Sequence, residues 1–227
     1  MLKAGCRVRL AQTFHLQIRT SKDTFNSDNV VSALSSSTLD SLVGLPNLKH
    51  NPSVTVGVIN LAFPPGFKLA IKGFGYLIPR TVGPSQNPHQ ALGVVLDSDM
   101  FEGGDGSTRL TVMMGGHYWA NATPPSPEEL LKGALATLHI HDIVPSSVEP
   151  VESKVQIQKD CIPQYLVGHP QRMQELHRGL LDQYQGKLGL VGSSYNGVGI
   201  NDCVKSSWDQ ARRLVEDGQS TGLEGWK

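Results

Sequence analysis

Leu188-Gly-Leu-Val-Gly-Ser-Ser-Tyr-Asn-Gly-Val-Gly-Ile-Asn-Asp-Cys203 decides the fold. The apolar run Leu188–Val191 has the length of a short buried strand. Gly192, Gly197 and Gly199 then bring the backbone of a turn close to something flat or anionic. Asn201 and Asp202 are preferred N-cap residues. Val204, Trp208, Ala211 and Val215 recur at helical spacing until Gly218 offers a C-cap. A strand, a glycine-rich turn and a helix N-terminus gather free N–H groups and the positive end of a helix dipole, which suits negative charge. An ordinary tight strand-to-helix turn uses the same glycines, so this pattern alone leaves both readings open.

Four further stretches stand in order upstream: Gly73-Phe-Gly-Tyr-Leu-Ile-Pro79, Leu92-Gly-Val-Val-Leu-Asp-Ser98, Leu110-Thr-Val-Met-Met-Gly-Gly-His117 and Cys161-Ile-Pro-Gln-Tyr-Leu-Val-Gly-His169. With Gly192–Cys203 they resemble blocks of the protoporphyrinogen oxidase family, in a spacing most like its fungal members. The family opens with a strand, a G-x-G-x-x-G turn and a helix that hold the FAD pyrophosphate. Here G-x-G occurs only as Gly73-Phe-Gly75 in a strand pattern, Gly104-Asp-Gly106 in a polar loop, and Gly197-Val-Gly199 near the other end. The family's helical membrane-contacting region has no counterpart either. The resemblance therefore covers the C-terminal half of the family, and the chain reads as an incomplete C-terminal portion: a fragment, a truncated gene model or a decayed duplicate.

The resemblance implies a mixed α+β and α/β fold, the C-terminal part of a two-domain, amine-oxidase-like FAD flavoprotein without its N-terminal dinucleotide-binding βαβ unit. Residues 1–45 would belong to the FAD-binding domain, 46–165 to a substrate-binding domain with a mixed sheet and helices, and 166–227 to the return into the FAD-binding domain. It implies oxidation of protoporphyrinogen IX to protoporphyrin IX with molecular oxygen as acceptor, in haem biosynthesis. The isolated chain is expected to be inactive. Alternatives are a non-catalytic porphyrin- or protein-binding fragment and another amine-oxidase-like flavoenzyme; the run Tyr195–Asp202 and Gly73–Pro79 argue against the latter.

By resemblance, Ser193, Val198, Gly199 and Ile200 would meet the flavin, and Phe74, Leu77, Val95 and Met113 would line the substrate cavity. Plain core packing is the competing reading for Val198 and Ile200, and periodicity alone assigns all four cavity residues to the core. Two positions depart from the family pattern: Lys205 stands for an acid in the first helical turn and Ser207 for a glycine. Hydride transfer to a flavin needs little acid–base machinery from the protein. No nucleophile with a paired base, and so no catalytic side chain, is evident. The family also implies peripheral attachment of the full-length protein to the inner mitochondrial membrane, and is compatible with a homodimer.

Composition bounds the rest. Of 227 residues, 39% are hydrophobic and 18% charged, which suits a globular core. Lys plus Arg equals Asp plus Glu at 20 each, so no net field steers nucleic acid, and none is expected as a partner. Cys6, Cys161 and Cys203 lack disulfide or metal spacing, and His139-Ile-His141 lacks further ligands nearby, so no metal is expected. No apolar run approaches the roughly 20 residues of a spanning helix. The basic first 22 residues fit a mitochondrial presequence, but the alternation of Val8 and Leu10, then Leu16 and Ile18, favours strands of a hairpin over 7–19.

Periodicity predicts a strand at 30–34, a short helix at 37–43, and strands from Val54 to Asn60 and at 75–78, 92–96, 110–114 and 155–158, with a polar loop at 99–108. Ser126-Pro-Glu-Glu129 predicts a capped helix with an apolar stripe of Leu130, Leu131, Ala134, Leu135 and Leu138. Pro170 opens another, with Met173, Leu176, Leu180 and Tyr184 on one face and Gly186 at its end.

Overall fold

The computed structural model describes residues 15–100 and 105–226, and the strand Arg7–Leu10 by its backbone. Cys6, the turn of the expected hairpin and part of the expected polar loop lie outside the described residues. The chain divides into two compact units: Met1–Ser53 with Ile162–Lys227, and Val54–Cys161. The divisions fall at 53/54 and 161/162, where the sequence suggested 45/46 and 165/166.

In the first unit, β1 (Arg7–Leu10) and β2 (Leu16–Arg19) pair antiparallel, and β3 (Thr24–Ser27) adds a third strand that the sequence did not suggest. Next, β4 (Val30–Ser32) pairs in parallel with β10 (Leu188–Leu190) from the far end of the chain. Between them, α1 (Ser36–Val43) starts on Ser35, whose side chain accepts from Thr38 N, and ends on Gly44 in the left-handed conformation. The longer α4 (His169–Tyr184) begins one residue before Pro170, whose fixed φ suits a first turn. Its face Met173, Leu176, Leu180, Tyr184 is buried, and Gln185 and Gly186 end it at φ 53 and 72. These side chains pack with Leu16, Leu39, Leu45, Leu188, Leu190 and Tyr195 into one core.

The last helix, α5 (Ile200–Asp217), corrects two expectations. Its N-cap is Gly199, so Asn201 and Asp202 lie within the first turn, where an acidic residue suits the helix dipole. Gly218, at φ 73, does cap its end. Its apolar stripe faces outward: Ile200, Val204, Trp208 and Val215 are exposed, and Gln210 is its one buried residue. Gln210 hydrogen-bonds Ser220 through both amide atoms, and Arg213 pairs with Glu224 at 2.9 Å. A side chain at Gly189 of β10 would collide with the Gln210 amide, so the polar face of α5 lies directly on the strand. Lys205 pairs with Asp209 one turn on, and Ser207 Oγ donates to Cys203 O, so both departures from the family pattern are accommodated within the helix.

The second unit is a five-stranded sheet in the order β6 (Gly75–Leu77), β7 (Ala91–Val95), β8 (Thr108–Gly115), β5 (Ser53–Phe63), β9 (Glu152–Pro163). The β6–β7, β7–β8 and β8–β5 pairs are antiparallel. One face carries Ile59, Leu61, Phe63, Val94, Leu96, Leu110, Val112 and Met114, packed with Leu130, Ala134 and Leu138 of α3 (Pro127–Ile140). Full burial of each large aliphatic side chain contributes about 1.5–3 kcal/mol. Ser126 and Glu129 complete the expected capping box. A short helix, α2 (Asp97–Met100), runs into the start of the expected polar loop at 99–108, and Thr108 is already the first, buried residue of β8.

Candidate functional site

After β10 the chain passes Gly192 at φ 104 and enters a turn whose first five residues are all held by other elements. Tyr165 donates its hydroxyl to Ser193 O at 2.6 Å and accepts Gly197 N–H at 2.9 Å. Asn51 Nδ2 lies 3.3 Å from Ser194 O, and His169 Nε2 lies 2.9 Å from Tyr195 O. The Ser194 hydroxyl accepts Ser36 N–H, the Tyr195 ring is fully buried, and Asn196 bridges Gly222 O and Trp226 Nε1.

Beyond Gly197 the restraint ends. Val198 and Ile200 point outward, with Ile200 79% exposed, and no side chain caps the N-terminus of α5. Gly197 has φ 148, and a Cβ there would stand 2.5 Å from the Asp202 side chain, so this position demands glycine on both counts. The four expected cofactor residues are thus brought together on one turn: Ser193 half-buried at its root, and Val198, Gly199 and Ile200 exposed at its tip. The core reading of Val198 and Ile200 is incorrect, because neither touches the interior. On the other side of α5 a groove of about 350 Å³ is lined by charges of both signs, Asp202, Lys205, Asp209 and Arg213, with Asn196 and Trp226.

In the second unit the sheet face away from α3 gathers three of the four expected substrate residues, Leu77, Val95 and Met113, whereas Phe74 lies opposite Leu96 at the start of β6. Leu77 pairs with Gly93, Gly93 with Met113, and Met113 with Val58, which makes one row across four strands. Val95, Thr111 and Asn60 form the next row. Phe74, just before β6, is 66% exposed and Leu77 77% exposed, while Val95 and Met113 are half-buried. Assigning all four to the core from periodicity is therefore incorrect: strand alternation places the neighbours Tyr76, Val94, Val112 and Met114 inward instead. Gly93 is required because a Cβ there would meet Tyr76 O at 2.5 Å and the Leu77 side chain at 2.9 Å.

This apolar face ends in a polar cleft of about 310 Å³ lined by Asn60, Asp97, Arg109, Thr111, Glu152 and Lys154. There Thr111 Oγ1 lies 2.7 Å from Asp97 Oδ2 and 2.9 Å from Asn60 Oδ1. The histidine pair of the sequence divides: His141 Nδ1 lies 2.7 Å from the Tyr76 hydroxyl, and burial pushes the Tyr76 phenol up to about 12. Among the described residues, no cluster of His, Cys, Asp or Glu could hold a metal.

Tyr165, His169 and Asn51 were not singled out as site residues by the sequence. Tyr165 and His169 lie in the stretch Cys161–His169, which the resemblance marked without a role. Asn51 left no signal, because its partners stand 118 and 143 residues away.

The model of the flavin-containing amine oxidoreductase family matches residues 6–215. Protoporphyrinogen oxidase of Schizosaccharomyces pombe is 38% identical over 189 residues, covering 82% of this chain and 37% of that protein. The Homo sapiens enzyme of the same name is 32% identical over 219 residues, covering 88% of this chain and 43% of its own. The chain therefore spans less than half the length of these relatives. A solved Exiguobacterium sp. 255-15 protein, itself a protoporphyrinogen oxidase candidate, superposes with a TM-score of 0.76 at 21% identity, over 93% of this chain and 46% of that one. That likeness shows the flavin-dependent oxidoreductase fold. With its glycine-rich turn, its sheet and this family match, the chain belongs to the flavin-containing amine oxidoreductases, and the two sequence relatives named above are protoporphyrinogen oxidases.

Proposed function

We propose that this chain supplies the C-terminal part of an FAD-dependent, oxygen-consuming protoporphyrinogen IX oxidase of haem biosynthesis. One observation supports it most: the turn Ser193–Ile200 is anchored through its first half and presents an uncapped helix N-terminus at its tip. The residues present fit a flavin. Val198 and Ile200 offer apolar contact, and the first-turn N–H groups with the helix dipole favour the negative charge that a flavin gains on reduction. Ser193, Val198, Gly199 and Ile200 hold the cofactor here. When bound, the flavin supplies the hydride-accepting chemistry, and the protein positions it.

The outer sheet face of the second unit supplies the substrate wall. A tetrapyrrole macrocycle is broad and apolar, and the row Leu77–Gly93–Met113–Val58, with Val95 in the next row, is an apolar surface of matching character, while Phe74 is exposed at the start of β6. Residues 54–161 accordingly form the substrate domain, and the other unit is part of the FAD domain. FAD pyrophosphate requires a G-x-G-x-x-G strand–turn–helix that these 227 residues do not contain, so this chain alone retains no stoichiometric flavin. The intact enzyme works as a peripheral protein of the inner mitochondrial membrane. Among the described residues no helix is long and apolar enough to cross a membrane.

The test uses the chain joined to the dinucleotide-binding half of a full-length relative. Ile200 is 79% exposed, so in the 227-residue chain by itself Ile200→Glu should shift stability by no more than about 0.5 kcal/mol. The same substitution puts a carboxylate against the flavin and should abolish its retention through gel filtration. Stoichiometric flavin in the variant removes this turn from the cofactor site.

A further inference from the structure

Five residues of the turn, Ser193 to Gly197, are gripped from outside, and the three side chains that hold its backbone from other elements converge on one spot. Tyr165 lies flat on His169, with ring centroids 4.0 Å apart and planes 5° from parallel. Trp226 stands nearly perpendicular to His169, with centroids 5.4 Å apart and planes at 87°. His169 is almost fully buried and reaches the Tyr195 carbonyl through Nε2, which fixes its hydrogen on that nitrogen. Its Nδ1 is left as an acceptor for Asn51 Nδ2 at 3.2 Å, and the same amide nitrogen reaches Ser194 O. The Tyr165 hydroxyl closes the span by bridging Ser193 and Gly197. Successive carbonyls 193, 194 and 195 therefore each answer to a different side chain.

None of these three residues is needed to fold a turn as such. A glycine-rich loop could settle into many backbone conformations, and Gly197 at φ 148 occupies one that only glycine populates freely. Gripping it in one conformation matters if the N–H groups just beyond, at 198–200, must face a ligand without reorganising.

We infer that Tyr165, His169 and Asn51 are positioning residues that hold the turn in its cofactor-facing conformation. The inference rests on the flavin reading above and extends it to residues outside the turn. Tyr165 is the point of greatest leverage, since its hydroxyl is the last restraint from outside α5 before the free tip.

The experiment uses Tyr165→Phe, which keeps the ring and its stacking but removes both hydrogen bonds. Tyr184→Phe, at a buried tyrosine of the same unit whose hydroxyl makes no hydrogen bond to the turn, is the control. In the flavin-free chain, amide exchange over residues 193–200 is expected to accelerate about tenfold in Tyr165→Phe, the scale of one net hydrogen bond, and to stay at the wild-type rate in the control. In the chain joined to the dinucleotide-binding half, FAD affinity is expected to fall about tenfold, and the flavin midpoint potential to become more negative as the N–H groups lose alignment. His169→Asn should act in the same direction.

Wild-type flavin binding with an unchanged potential and affinity in Tyr165→Phe overturns this inference and leaves the flavin reading intact. Failure of the joined wild type to bind flavin overturns both. A loss of thermal stability as large in Tyr184→Phe as in Tyr165→Phe, with equal change in flavin affinity, assigns the effect to general stability and also overturns the inference.

Discussion

At the scale of the residue, His169 couples the turn to pH. Burial holds its imidazolium pKa below the ordinary 6.5, and nearby Arg172 lowers it further, against the opposing pull of the Tyr195 carbonyl. The sign follows from linkage: the unfolded chain binds a proton near 6.5 and the folded one only at lower pH. The stabilising contribution of the neutral ring is therefore complete above about 6.5 and lost as pH falls from there through the folded pKa. In the other unit His117 has the same direction, from burial and then Arg80. Wild-type melting temperature should decline on acidification below about 6.5, and His169→Gln should remove part of that slope while His117 retains the rest. Parallel slopes for wild type and variant would show that His169 titrates freely. The sequence could mark Gly197 as a turn residue and His169 as part of a recurrent block. It could not disclose the Tyr165–His169–Asn51 cluster, whose bonds to the turn cross 26 to 143 residues.

At the scale of the element, alternation and capping were the legible signals. Strands β5, β7 and β8 and helix α3 stand within a few residues of where period two, period 3.6 and the Ser126 box put them. Which face of a strand meets water was not legible, because apolar residues occupy both faces of β7 and β8. Leu110, Val112 and Met114 lie inward while Met113 lies outward, and only the register with Ile59 and Leu61 distinguishes them. This gives a prediction that separates wall from core. Leu110 is fully buried, so Leu110→Ala should cost about 2–5 kcal/mol in denaturant unfolding. Leu77→Ala, at 77% exposure, should cost no more than about 0.5 kcal/mol. In the joined enzyme it should nevertheless raise the Michaelis constant for the porphyrinogen. A stability loss at Leu77 as large as at Leu110, with an unchanged Michaelis constant, would return Leu77 to the core. The glycine N-cap of α5 was misplaced for a related reason. Asn201 and Asp202 carry strong capping propensity, but the φ of 148 at Gly197 and the extended Gly199 start the helix earlier, leaving Asp202 to meet the dipole from inside the first turn.

At the scale of the whole molecule, each unit has its own hydrophobic core, drawn from its own residues. What neither core uses is the stripe Ile200–Val204–Trp208–Val215 along α5, with Trp208 72% and Val215 87% exposed. A helix that binds its own unit through Gln210 and Arg213 and turns its apolar side to water reverses the usual amphipathic arrangement. Val31 of the parallel pair β4–β10 is likewise exposed, although parallel sheets are normally covered on both faces. The curated relatives are more than twice as long as the region they share with this chain, which leaves polypeptide to cover both features. The same substitution should therefore have opposite effects in two contexts. In the 227-residue chain, Trp208→Glu with Val215→Glu should suppress self-association in sedimentation and leave the melting temperature unchanged, because it removes only exposed apolar surface. In the chain joined to the other half of a full-length relative, the pair should destabilise by several kcal/mol, because two carboxylates would be buried without partners. Equal, small effects in both contexts would mean that the stripe stays in water in the longer protein as well, and that α5 needs no cover.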